Sequence, residues 1–414
     1  MAHSRSQFIA ALDVGSSKVS CVVAQPLDDG YRVLGAASRR AEGLRRGVIT
    51  DMEAAEATIR AAVDMAEQRA KVAVDEVFVA LSGGQPYSHT VDVEIAAPDR
   101  PVNDHDVRRL LQRAGASADS SDRTVLHAIP VSFTLDGVSG IQDPRGMVGR
   151  RLGARVHLLS SSLGAQRNLA VCVERCLLRP ADIISGAYAA GLGCLSWDAR
   201  DLGAVVIDLG AGVTKIGMFQ DGTLVHADAV LIGGAHVTND IARILGTSIE
   251  AAERLKTRQG SVLVGPNDDD VTINVPSNAE GWTDGAGRMP LSLLTGIIRP
   301  RVEEIMETVR DHIESSGYAA MTGRNIVLTG GGSLLTGIDS LAQDILDKPV
   351  RLGRPTGLGA LPRDMQGPGF TSLAGAVAFA DRRLEARAAT DVPASLPDRG
   401  GRFVRLGRWL RENF

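Results

Sequence analysis

Long apolar runs are missing from this chain. No window approaches the ~20 apolar residues that a membrane-spanning helix requires, so no helical span is expected. The N-terminal stretch MAHSRSQFIAALDVG has an apolar run too short for a signal peptide and lacks a small-residue cleavage pattern, so a cytosolic chain is expected. Cysteine is scarce. Cys21, Cys172, Cys176 and Cys194 form no CxxC pair and no His–Cys cluster at metal spacing, which excludes a zinc ribbon or a dithiol redox motif. Cys172 and Cys176 lie one helical turn apart and pair up as ligands only in principle; buried reduced thiols are the expectation. The histidines are scattered, without an HExxH. A net charge of -4 excludes a global attraction to nucleic acid. Aromatics are sparse. Two nucleotide fingerprints are also absent: no GxGxxG opens a helix after the first strand, and no GxxxxGK[ST] occurs, which excludes a Rossmann site and a P-loop.

What the chain does have is length, repetition and glycine. Its 414 residues suffice for two or three core-bearing units. QFIAALDVGSSKVSCVVAQ reads as strand, tight turn, strand, and YRVLGAASRR as a further strand. A helix is expected over 51–70 with Thr50 or Asp51 as cap, then a strand in DEVFVALSG. Residues 87–165 are more polar, with short strand candidates and one helix near 104–114, and read as a small inserted α+β module. AQRNLAVCVERCLL reads as helix and ADIISGAYAAGLGCL as strand into helix. At Ala204 the opening layout returns: AVVIDLGAGVTKIGMFQDGTLVHA repeats the strand, Asp, glycine turn and strand of residues 8–36. Asp13 aligns with Asp208 and Gly15 with Gly210. A repeat of this length points to a duplicated domain. Helices are expected over 234–258 and 291–316, strand–turn–helix in NIVLTGGGSLLTGIDSLAQDIL, and a last folded helix in SLAGAVAFADRRL. EARAATDVPASLPDRG, about 385–400, reads as a linker with nothing to pack.

Three turns carry chemistry: ALDVGSSKVS, IDLGAGVTKIG and VLTGGGSLLTG. Glycine lets backbone N–H groups approach a ligand without a Cβ in the way, and successive N–H groups form an anion nest. Ser16, Ser17 and Thr214 add hydroxyl donors. Asp13 and Asp208, each at a strand end beside its turn, are candidates to hold magnesium through water. Two related strand–turn–strand units plus a third strand-to-helix turn suggest two facing phosphate loops and a loop for a base or sugar.

These repeated turns and GGGSLLTG resemble the actin, hexokinase and heat-shock-protein-70 ATPase superfamily. The insertion at 87–165, the segment AERLKTRQG and a basic amphipathic tail make the chain similar to the FtsA family of bacterial cell-division actin homologues. The resemblance implies an α/β, ribonuclease H-like fold with duplicated domains around a nucleotide cleft. Subdomain 1A would take 1–86 and 166–200, an inserted 1C 87–165, 2A 201–233 and 320–384, and 2B 234–319. It implies ATP with magnesium in the cleft. Asp13, Gly15, Ser16, Ser17 and Lys18 match the first phosphate loop; Asp208, Gly210, Ala211, Gly212, Val213 and Thr214 match the second. Gly330, Gly331, Gly332 and Ser333 match the adenosine loop. Glu253 and Lys256 match a nucleoside-contacting helix, or else form a solvated i,i+3 ion pair. The usual second loop reads DxGGGTTD; here Val213 replaces a Thr and Lys215 an Asp. Losing a hydroxyl and a carboxylate implies ATP binding with weak or no turnover, and no catalytic residue is assigned.

The resemblance further implies self-assembly into an actin-like filament and recruitment of the tubulin-like FtsZ to the cytoplasmic face of the inner membrane at midcell. The FtsZ C-terminal peptide would bind 2B, with Arg299 and Arg301 as candidate contacts. Other divisome proteins would use the 87–165 insertion. At the C-terminus, helical winding places Phe403, Leu406, Trp409, Leu410 and Phe414 on one face and spreads Arg402, Arg405, Arg408 and Arg411 over the rest. This is the pattern of a helix lying in an anionic lipid interface, here at the end of the 385–400 linker; packing on the protein's own core is the other fate of such a stripe. A sugar or small-metabolite kinase of the same superfamily is the alternative, but it needs a catalytic Asp in a matching motif and no basic terminal helix.

Overall fold

The computed structural model describes residues 8–97, 99–116, 122–276, 287–320 and 325–390. In chain order the principal elements are β1 (Ile9–Val14), β2 (Lys18–Leu27), β3 (Gly30–Arg40), α1 (Met52–Ala70) and β4 (Glu76–Leu81). Next come β5 (Tyr87–Ala96), α2 (Asp104–Ala116), β6 (Arg123–Leu135), β7 (Val138–Ile141) and β8 (Arg151–Ser162). They are followed by α3 (Leu163–Arg175), β9 (Arg179–Ser185) and α4 (Gly186–Cys194). The second half holds β10 (Ala204–Leu209), β11 (Thr214–Gln220), β12 (Thr223–Val230), α5 (Gly234–Leu245), α6 (Ile249–Gln259) and α7 (Leu291–Ser315). It closes with β13 (Asn325–Thr329), α8 (Ile338–Leu346), β14 (Val350–Leu352) and α9 (Thr371–Thr390).

Two hairpins of matching register set the architecture. In the first, β1 and β2 run antiparallel with Asp13 opposite Ser20; in the second, β10 and β11 do so with Asp208 opposite Lys215. Each leading strand pairs in parallel on its other side, β1 with β4 and β10 with β13. Two sheets result, ordered β9-β4-β1-β2-β3 with Leu358–Gly359 at the β3 edge, and β12-β11-β10-β13-β14. β1 and β10 are buried along their whole length, as their unbroken apolar runs require of strands covered on both faces. The sequence repeat is thus a structural duplication.

Between the two sheets lie α4 and α9. They cross at glycine: a Cβ added to Gly375 would fall 1.7 Å from the Ala189 carbonyl oxygen, and one on Gly193 2.0 Å from that of Thr371. Residues from both halves, among them Ala11, Ala189, Val206, Val327 and Ala376, share one apolar core around this crossing. The stretch between β4 and α3 forms a separate sheet, β5-β8-β6-β7, with α2 packed on it around Val107, Leu110, Phe133, Leu152 and Leu158.

Asp51 caps α1 by accepting from the backbone N–H groups of Glu53 and Ala54. The helical span expected over 234–258 is two helices. α5 ends at Gly246, whose φ of 61° is left-handed, and the Ser248 side chain caps α6. The helix expected at 372–384 runs on to Thr390, into the expected linker, because EARAAT contains good helix formers and no proline. The rest of that linker and the amphipathic segment 401–414 lie outside the described residues. No helix among the described residues is long and apolar enough to cross a membrane.

Candidate functional site

The three glycine turns, distant in sequence, meet. The first and second turns are built alike: the Gly15 N–H donates to the Lys18 carbonyl at 3.0 Å, and the Gly210 N–H to that of Val213 at 3.1 Å. They also touch. A Cβ on Gly212 would fall 2.8 Å from Ser16 Oγ, and Ser16 Oγ itself accepts from the Gly47 N–H at 2.7 Å. Gly330 of the third turn has a φ of 85° and lies so close to the second strand that a Cβ would sit 2.3 Å from Asp208 Oδ1 and 2.5 Å from the Leu209 carbonyl oxygen. Only glycine combines that dihedral with that approach. The first and third turns are joined by the segment before α9. A Cβ on Gly369 would fall 2.8 Å from Lys18 Nζ and 3.5 Å from Gly331 Cα. Lys18 Nζ stands 3.2 Å from the centroid of the Phe370 ring, a cation–π contact.

Asp13 and Asp208 lie at the base of these turns, 8% and 5% exposed. Lys215 Nζ is 2.6 Å from Asp208 Oδ2, with both side chains almost wholly buried. Ser372 Oγ donates to the same oxygen at 2.9 Å. Asp13 Oδ1 accepts from Ser82 Oγ at 3.5 Å. Burial pushes the Asp13 carboxyl up; nearby Lys215 opposes this and Asp208 adds to it. Burial also acts against the Lys215 ammonium, but Asp208 and Asp13 outweigh it and hold that ammonium above its usual range. Burial pulls the Lys18 ammonium down to about 8, against the pull of Asp13 and Asp208.

Several expected donors serve the fold instead. Thr214 is fully buried and its hydroxyl donates to the Ile232 carbonyl at 2.7 Å, so it is not a hydroxyl presented by the turn. The Val213 side chain is in the core. Ser333 Oγ donates to the Gly330 carbonyl at 2.8 Å, closing its own turn. Ser17 is exposed and Gly331 borders open space. Ala211 receives the start of α5, its carbonyl accepting from the Ala235 N–H at 2.8 Å while the Gly210 carbonyl accepts from Gly234 at 2.9 Å. Glu253 and Lys256 do form the i,i+3 pair, at 2.7 Å. Lys256 Nζ also donates to the Gly234 carbonyl at 3.0 Å and Thr238 Oγ1 at 2.8 Å, which places it at the wall of the second turn.

Comparison with known proteins places the chain among its relatives. The family model "Cell division protein FtsA" matches residues 205–375, and the model "SHS2 domain inserted in FTSA" matches residues 83–160. The chain is 39% identical to the cell division protein FtsA of Rhizobium meliloti (strain 1021), over 99% of this chain and 96% of that protein. It is 30% identical to FtsA of Escherichia coli (strain K12), over 99% and 98%.

The chain belongs to the FtsA family.

Its fold is actin-like. A PilM–PilN type IV pilus biogenesis complex matches with a TM-score of 0.63 at 18% identity, covering 91% of this chain and 99% of that one. MreB5 of Spiroplasma citri bound to ADP matches with a TM-score of 0.57 at 15% identity, covering 93% and 99%. The inserted sheet takes the place of the SHS2 domain of FtsA proteins. Sequence reasoning missed Gly234, Gly369, Phe370 and Ser372, which contact the three turns and Asp208. The pair Gly233-Gly234 at the start of α5 was a usable signal; GPGFTS offered none, because its role is tertiary.

The two candidate partner residues lie on α7 and are already engaged. Arg299 pairs with Glu303 at 2.7 Å. Arg301 holds Asp240 through two nitrogens, at 2.6 and 3.3 Å, and also pairs with Glu304.

Proposed function

We propose that this chain is an ATP-binding, actin-like cell-division protein that polymerises on the inner face of the cytoplasmic membrane, tethers FtsZ filaments there and recruits later divisome proteins. The observation that carries this reading is the meeting of three glycine turns over Asp13 and Asp208, between duplicated sheets, in a member of the FtsA family. Nucleotide in that cleft sets how the two halves close on the α4–α9 crossing, and closure governs filament contacts. Turnover is weak or absent: Val213 and Lys215 stand where the family's loop has a hydroxyl and a carboxylate, and Lys215 engages Asp208 at 2.6 Å. A steady-state rate near the tens per second of dedicated enzymes would contradict this.

Membrane attachment belongs to residues 401–414. Each arginine near an anionic leaflet contributes about 1 kcal/mol, and the apolar face adds a few kcal/mol at about 25 cal/mol per Å² buried. Ordering the arm costs roughly 1–2 kcal/mol per residue, so one copy binds weakly and a filament binds by avidity. The FtsZ C-terminal peptide docks on α7, where an acidic chain would exchange with Asp240 and Glu303 for Arg301 and Arg299. The inserted module, with Val138 on its sheet and Val148 in the loop before β8 64% and 66% exposed, is the face for other divisome proteins.

The test is reconstitution of FtsZ with anionic vesicles. FtsZ polymers should reach the vesicles with the full chain and fail to do so when Arg299 and Arg301 are both changed to Glu. Recruitment that is indifferent to this double change would remove α7 from the partner site. FtsZ that stays in solution with the full chain would remove the tether.

A further inference from the structure

Lys215 stands where the family's second loop carries a carboxylate, and its setting is particular. It lies directly opposite Asp208 on the β10–β11 hairpin. The matching residue of the first hairpin, Ser20, is uncharged and bonds to Ser38 Oγ at 3.0 Å. The aliphatic stem of Lys215 passes over the first residue of α4: a Cβ on Gly186 would fall 2.9 Å from Lys215 Cδ and 3.1 Å from Nζ. Its ammonium then reaches Asp208 Oδ2 at 2.6 Å, with Ser372 Oγ 3.5 Å away.

Direct magnesium ligation does not fit the carboxylate pair as built. Magnesium demands near-octahedral oxygen ligation at short range, from one or two carboxylates, phosphate and several retained waters. Here Oδ2 of Asp208 already accepts from Lys215 and Ser372, and Oδ1 faces Gly330 so closely that a Cβ there would be 2.3 Å away. Among the described residues no group of three or more His, Cys, Asp or Glu side chains is placed to hold a metal. A dication bound by Asp208 would have to displace a charge-assisted hydrogen bond or sit against an ammonium. Electrostatically the position is already filled: Asp13 and Asp208 are offset by Lys18 and Lys215.

We propose that Lys215 supplies, from within the protein, the positive charge that a divalent cation would otherwise bring to this phosphate site, so that a nucleoside triphosphate binds without requiring one. The inference rests on the nucleotide reading above. A built-in ammonium cancels the Asp208 carboxylate that would otherwise repel the phosphates, in a low-dielectric setting where one unit charge counts for more than in water. It also fixes the hairpin in place through the same contact. Gly186 is then part of the device, since only its missing side chain leaves room for the lysine.

The test is direct binding of a fluorescent ATP analogue to the full chain in excess magnesium and in EDTA, followed by the same pair of titrations on Lys215→Asp and Lys215→Gln. The wild-type dissociation constant should differ by less than about threefold between the two conditions, whereas Lys215→Asp should bind at least about tenfold more tightly with magnesium than without. Lys215→Gln should weaken binding in EDTA. The wild-type titration stands even if a variant fails to fold. Wild-type binding that needs magnesium by tenfold or more would overturn this inference and leave the nucleotide site intact. Absence of binding in both conditions would overturn the nucleotide site and this inference with it.

Discussion

Lys18, half-buried, and Lys215, buried, are both cations beside Asp13 and Asp208, yet their environments pull them in opposite directions. Lys215 makes a 2.6 Å pair and stays charged; Lys18 rests on the Phe370 ring and has its pKa lowered by burial to about 8. Only the protonated Lys18 attracts phosphate, so nucleotide affinity should fall as pH rises through about 8, by roughly tenfold between pH 7 and 9. Titrations at several pH values would show this, and Lys18→Gln should flatten the curve. Unfolding cannot mimic the effect. A lysine at about 8 in the fold and 10.5 when unfolded makes the unfolded chain bind more protons between those values, so this group's contribution to stability rises with pH across that window. A second prediction concerns the buried pair. Asp208→Asn leaves the Lys215 ammonium without its counter-charge and should cost about 3–5 kcal/mol, measured as a lowered urea midpoint. A midpoint unchanged from wild type would mean that the pair contributes nothing to the fold. At this scale the sequence was readable where chemistry is local. Asp13, Asp208 and the glycines stand at the turns because strand-end spacing puts them there. Thr214 misled because a hydroxyl in a phosphate-loop pattern reads as a donor, while strand alternation turns this one toward the Ile232 carbonyl.

Among the elements, the hairpins and the β13–turn–α8 unit follow from the residues that make them. The crossing of α4 and α9 does not. GAYAAGLGC and SLAGAVAF look like weak, glycine-interrupted helices, since glycine costs about 1 kcal/mol in a helix interior. Their glycines are explained only by the partner helix, which approaches within what would be 1.7–2.0 Å of an added Cβ. Short pairings were also invisible: Leu358–Gly359 is two residues long and gains its place from β3. A third prediction belongs here. Gly375→Val should force α4 and α9 apart and destabilise the chain by at least the ~1–3 kcal/mol typical of overpacking, with a lower melting temperature. Because the two halves share this core, it should also weaken nucleotide binding. Gly287→Val, where an added Cβ meets nothing within 4 Å, is the control and should leave both unchanged. Equal effects of the two changes would refute the crossing as the tight joint.

For the molecule as a whole, the duplication and the inserted sheet were legible in order and composition. What composition could not supply was how turns near residues 15, 211 and 331 close on one another, because contacts of such sequence separation leave no local trace. The membrane role proposed above has to come from a chain with no membrane-crossing helix among its described residues. The account assigns this to residues 401–414 acting in an array, so binding must depend both on the tail and on whatever state permits assembly. The most direct measurement is co-sedimentation with anionic liposomes, with and without residues 401–414, each in the presence and absence of ATP. Pelleting that requires both the tail and ATP is the predicted result. A truncated chain that pellets as well as the intact one would contradict it, and the terminal helix would then be a core or partner element rather than an anchor.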